Sequence, residues 1–185
     1  MTLRRGKAVA MQRPPAWLVV LAVQAYLFSR YLRLGAEFHY WLHGLAGAAL
    51  GLMALTAAAL ARSRRPDRVW ALALTGALYS AAPDILFIAA DLVHERWMDA
   101  FAFHIAVHFV PVPLAAAFTV FAVALGAWAA TALGRRALAA ALLVIALAAS
   151  GAALLARSPV PTTLAEIRDQ TQTGGVALLC PLAPG

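Results

Sequence analysis

Five histidines carry most of the chemistry available to this 185-residue chain: His39, His43, His94, His104 and His108. They are interspersed with the carboxylates Glu37, Asp84, Asp91, Glu95 and Asp99. His104 and His108 are four residues apart, so on a helix they share a face one turn apart and can reach one ion. His39 and His43 repeat the spacing. Asp84 follows Pro83 inside an otherwise uncharged run. A bare carboxylate in lipid is expensive, so Asp84 is expected to face the interior and meet a cation, a histidine or a hydrogen-bond donor. Asp84, Asp91 and Glu95 fall on one stripe if a helix continues through all three.

Histidines and carboxylates in this pattern suit Zn²⁺ or another first-row divalent ion. A catalytic zinc site keeps three protein ligands and an open position for water, whose proton a nearby carboxylate can take. The expected ligands are Asp84, His104 and His108, with His43 or His39 as the fourth or the alternative. Glu95 or Asp91 is expected as the general base or as a support of the ligands. No HExxH motif is present, so this assignment rests on placement. Plainer roles compete with it: interhelix hydrogen bonds for Asp84, His104 and His108, an interfacial position for His39 beside Tyr40 and Trp41, and a loop position for His94.

These residues must be positioned by membrane helices. Hydrophobic residues make up 63% of the chain and charged residues 12%, against roughly 25% charged in soluble domains. Mean hydropathy is +0.78. The apolar runs are long and unbroken, which excludes a soluble enzyme, a coiled coil and the alternating pattern of a transmembrane β-barrel. The sequence predicts an all-α integral membrane protein, a compact bundle of five transmembrane helices at about 16–35, 38–61, 69–90, 101–126 and 137–156. A basic N-terminal segment, 1–15, precedes them and a tail, 157–185, follows. Gly44, Gly47 and Gly51 are small residues at spacings that let helix backbones approach closely.

The net charge of +7 comes from basic residues at the ends of apolar runs, where they read as topology signals and not as a nucleic-acid surface. Ten of the fifteen lie before segment one, between segments two and three, or between four and five. That bias predicts the N-terminus inside and the C-terminus outside; the expected location is a bacterial cytoplasmic (inner) membrane. Most of the histidines and carboxylates then gather toward the outer ends of the helices. The lone cysteine, Cys180, forms no internal disulfide.

Pro83-Asp84-Ile85, followed by His94-Glu95-Arg96 and His104, resembles the bacterial membrane-bound metal-dependent hydrolase family over about residues 39–108. In that resemblance His39 or His43 matches the family's early histidine, Pro83-Asp84-Ile85 its Pro-Asp-Ile-Asp element, and His94 or His104 its later histidines. Leu86 stands where the family has a second aspartate, and the family's Thr-His-Ser is missing. The resemblance implies a metal-dependent hydrolase, here with a lipid or lipid-linked substrate at the outer leaflet. Two other functions fit the sequence: a non-enzymatic accessory or assembly subunit, working with a membrane protein partner or as a homo-oligomer, and a haem-binding electron-transfer subunit ligated by His43 with His104 or His108.

Overall fold

The structure, a computed structural model, describes residues 16–35, 37–62, 69–90 and 95–160. Asp91, His94 and the tail beyond Val160 lie outside the described residues. The described chain is all-α: α1 (Ala16–Arg33), α2 (Glu37–Arg62), α3 (Val69–Ser80), α4 (Ala82–Ala90), two short 3₁₀ turns (Arg96–Ala100 and Ala106–Phe109), α5 (Pro113–Ala132) and α6 (Arg136–Leu155).

Local chemistry sets these boundaries. In α2 the only charges are Glu37 in the first turn and Arg62 in the last, each at the end of the helix dipole that favours it. Helix α5 starts with Pro113 in its first turn, where a missing N–H costs nothing. It ends at a tight turn through Gly134, whose φ of 72° suits a residue without a Cβ.

Helix α2 is the centre of the bundle, packed against α1, α3, α5 and α6. Small residues permit that. A Cβ on Gly47 would overlap the Gly76 carbonyl and crowd the Ser80 Cβ, and one on Gly51 would come within 2.9 Å of the Leu72 carbonyl oxygen. Gly44 faces open space, so two of the three expected small positions make the close approach. Beneath them Ala49, Leu52 and Met53 of α2 meet Ala124 of α5 and Ala146 of α6 in the largest apolar cluster.

Helices α2, α5 and α6 are each long and apolar enough to cross a membrane, and the bent pair α3–α4 can make a fourth span. The protein is therefore a membrane-embedded helical bundle with three or four candidate spans among the described residues. Helix α1 falls short of that standard because Gln24, Arg30 and Arg33 interrupt its apolar character.

Two expected segments differ in form. The third, 69–90, is broken at Ala81 with a bend of 54°. Pro83 explains it, since its ring clashes with the carbonyl one turn back and it has no N–H to donate. Glu95 stands outside any helix and so does not share a helical stripe with Asp84, while Asp91 lies outside the described residues. The fourth, expected at 101–126, is an α-helix only from Pro113 to Ala132. Pro111 and Pro113 disfavour helix in the residues before them, so the preceding run folds into 3₁₀ turns and loop despite being uncharged.

Candidate metal centre

Three elements converge at one end of the bundle. The first turns of α2 carry His39 and His43, the kink between α3 and α4 turns in Asp84, and the loop before α5 supplies His104 and His108. All five are buried: His43 and His104 are 0% exposed, His39 1%, Asp84 3% and His108 8%. Their ligand atoms form two triads that share His43, namely His43–Asp84–His104 and His39–His43–His108.

The donor directions are informative. His104 Nδ1 lies 2.8 Å from the Ser80 carbonyl oxygen, which can only accept, so Nδ1 carries the hydrogen. Ser80 closes α3 at the Pro83 kink, where backbone groups leave the regular helical ladder. In a neutral ring, Nε2 then presents a lone pair, and it lies 3.1 Å from Asp84 Oδ1. Two lone pairs at that distance repel unless a proton or a cation lies between them. Asp84 Oδ2 accepts a 2.7 Å hydrogen bond from the Tyr31 hydroxyl and lies 3.6 Å from His43 Nε2. His43 Nε2 is also 3.1 Å from His108 Nε2. Ligand atoms around a tetrahedral zinc with bonds of about 2.0–2.1 Å are spaced about 3.3–3.4 Å apart, so these separations match the edges of a coordination shell. A histidine held by a backbone carbonyl through one nitrogen, and a carboxylate held by a hydroxyl, are the supports that metal ligands ordinarily have. The cluster is able to bind a metal ion.

Ring orientation adds a condition. His43 and His104 stack, with centroids 3.8 Å apart and planes 13° from parallel. Lone pairs lie in the ring planes, so a single ion shared by both requires the rings to splay. His43 and His108 are already inclined at 72°. The stack also leaves no gap for a porphyrin between His43 and His104.

The loop that carries His104 and His108 is held under strain. Ala102, Phe103 and Val112 have φ of 57°, 59° and 45°, a region that costs non-glycine residues roughly 1–2 kcal/mol each. Specific bonds hold it there. Asp99 Oδ1 accepts from the backbone N–H groups of Ile105 and Ala106 at 2.8 and 2.9 Å. The Tyr79 hydroxyl donates to the Ala100 carbonyl at 2.6 Å, and the Ser158 N–H to the Phe109 carbonyl at 2.9 Å. Met98, Ile105 and Phe109 form an apolar base on which Val160 packs.

The structure brings together Asp84, His39, His43, His104 and His108. It does not bring Glu95, which is exposed, accepts from the Trp97 indole N–H at 2.7 Å and belongs to neither triad. His104 and His108 meet the site through a loop and not through one helix face. Sequence reasoning overlooked Tyr31, buried at 2% exposure beside Asp84, because a tyrosine between Arg30 and Arg33 has the pattern of an interfacial residue. It also overlooked the Ser80 carbonyl, for which Pro83 was the available signal. No family model, curated protein or solved structure matches the chain.

Proposed function

We propose that this protein is an integral-membrane metal-dependent hydrolase that acts on a lipid or lipid-linked substrate. The observation that carries the reading is the placement of His104, with Nδ1 on the Ser80 carbonyl and Nε2 3.1 Å from the Asp84 carboxylate. His43, Asp84 and His104 hold the ion, which is zinc by the nitrogen and oxygen donor set. His39 and His108 complete the set or take its place. A bound divalent ion would supply Lewis acidity toward an ester, amide or phosphoester. Ser80 and Tyr31 orient the ligands, and His108, the most exposed of the five, accepts a proton where it is not itself a ligand. Glu95 belongs to neither triad, and Asp91 lies outside the described residues. In this reading five segments cross a bacterial cytoplasmic membrane with the N-terminus inside, which places the site at the outer leaflet.

Burial favours one second reading. The closed cluster is also suited to pinning α2, α4 and the loop together in a non-enzymatic accessory subunit, with a membrane partner or a second copy of the chain. Elemental mass spectrometry on purified protein, beside His43→Ala and His104→Ala, tests both. Near-stoichiometric metal, lost in the variants together with lipid hydrolysis, is the expected result. Metal that can be removed with loss of thermal stability but no loss of any lipid ester, amide or phosphoester turnover would favour the accessory subunit. No metal after supplying zinc, manganese or iron rejects the hydrolase and leaves a cluster held by its own hydrogen bonds, as the accessory subunit allows; a Soret band would point to haem.

A further inference from the structure

The ligand loop has two faces. His104 and His108 are buried in the cluster, and Ile105 and Phe109 in the apolar base with Met98. Phe103, Val107 and Val110 turn the other way and wall a cavity of about 130 Å³. Its remaining walls come from α2 (Leu50, Met53), α5 (Val120) and α6 (Ala153), all of them candidate membrane spans. The lining is apolar throughout, apart from Ser150, whose hydroxyl is already bonded to the Ala146 carbonyl at 2.8 Å. Only the Ser150 oxygen is left to accept a hydrogen bond here, so the cavity suits hydrocarbon far better than a polar ligand. It is far below the roughly 300–1,000 Å³ of sites that enclose whole small molecules. A length of alkyl chain fits it, with the remainder lying in the bilayer. Leu50 and Phe103, 42% and 53% exposed, are its rim, and Leu50 continues into the apolar surface of α2.

A second cavity of about 430 Å³ adjoins the first through shared walls, Phe103 and Leu154. This one is polar on one side, lined by Arg157 and Ser158 just beyond the end of α6. An apolar slot between spans, followed by a guanidinium at the helix end, is complementary to a single kind of molecule: an amphiphile with a hydrocarbon chain and an anionic head group. Arginine suits phosphate through its planar fork of donors.

We propose that an anionic acyl lipid binds with one chain between α2, α5, α6 and the ligand loop and its head group at Arg157. The proposal goes beyond the hydrolase reading, because the two cavities carry the lipid site whatever the chemistry at the cluster. The loop is the partition between chain and metal ligands, so occupancy of one side bears on the placement of His104 and His108.

The test uses the full chain in phosphatidylcholine nanodiscs carrying a small fraction of photoactivatable phosphatidylglycerol, or of the matching phosphatidylcholine. Adducts are mapped by mass spectrometry and metal content is read on the same samples. Labels are expected on the peptides containing Phe103, Val120 and Leu154. Ala153→Phe fills the cavity and should lower them about tenfold, the equivalent of about 1.4 kcal/mol. Ala152→Phe, at the adjacent exposed position, should leave them unchanged, and Arg157→Gln should abolish the preference for phosphatidylglycerol. Labelling spread evenly over the apolar surface, or equal effects of the two phenylalanine variants, would overturn the chain site. A preference that survives Arg157→Gln would overturn the head-group assignment. Cavity labelling without any lipid turnover would leave the lipid site standing and remove the hydrolase reading; turnover without cavity labelling would do the reverse.

Discussion

The two halves of α2 are built on opposite terms. From Gly47 to Ala59 the helix is a packing element: glycines admit the α3 backbone, and Ala49, Leu52 and Met53 interlock with α5 and α6. Its one buried polar side chain in that half, Thr56, is bonded back to the Leu52 carbonyl at 2.8 Å. From Glu37 to His43 the same helix buries two histidines against a third, a fourth and a carboxylate. Beside the regular helix α1, the elements it meets there depart from regular geometry: α3 kinks into α4, and the loop runs through left-handed residues. Without a hydrophobic drive between helices in lipid, close van der Waals packing has to supply the rigidity. The packed half can therefore carry the cost of the polar half, where buried charge and backbone strain oppose stability.

This division can be broken from either side. The largest effect is expected for Gly76→Val, because its Cβ would overlap the Gly47 carbonyl. A loss of about 3 kcal/mol or more is expected, seen as a lower thermal midpoint with and without metal. A variant that melts like the parent would show that the helices can separate freely here. Tyr31→Phe comes next and acts on the other half. It removes the hydrogen bond to Asp84 while keeping the ring, so metal affinity should fall about tenfold or more in an isothermal titration. Unaltered affinity would mean that Asp84 is not a ligand. The smallest effect is expected from Ala102→Gly, which relieves a left-handed residue. Melting should shift upward by the equivalent of about 1 kcal/mol, the sign opposite to most substitutions. A downward shift would show that the loop is not strained in solution.

The packed half was easy to read from sequence, since long uncharged runs and glycine spacing express it directly. The polar half was legible in its membership and not in its construction. Asp84 stood out because a carboxylate in an apolar run needs a partner, and His43, His104 and His108 followed from spacing. Their convergence depends on features that composition does not encode. Apolarity over residues 100–134 looked like one helix, although Pro111 and Pro113 already divided it. The i, i+4 argument for His104 and His108 assumed that helix, and the pair converges for another reason, a loop stapled by Asp99. Glu95 looked poised on a stripe that exists only if α4 runs past Ala90. Tyr31 was invisible because its partner lies 53 residues away in the chain.

The bond from Ser158 to Phe109 has a practical corollary. The residues just after α6 belong to the ligand loop as much as to the tail, since Ser158 ties its backbone and Val160 covers its apolar base. A reporter fused directly after Ala156 would cut that tie and unmoor the histidines, whereas one fused after Val160 would preserve it. The natural seam for engineering therefore lies beyond Val160, not at the end of α6.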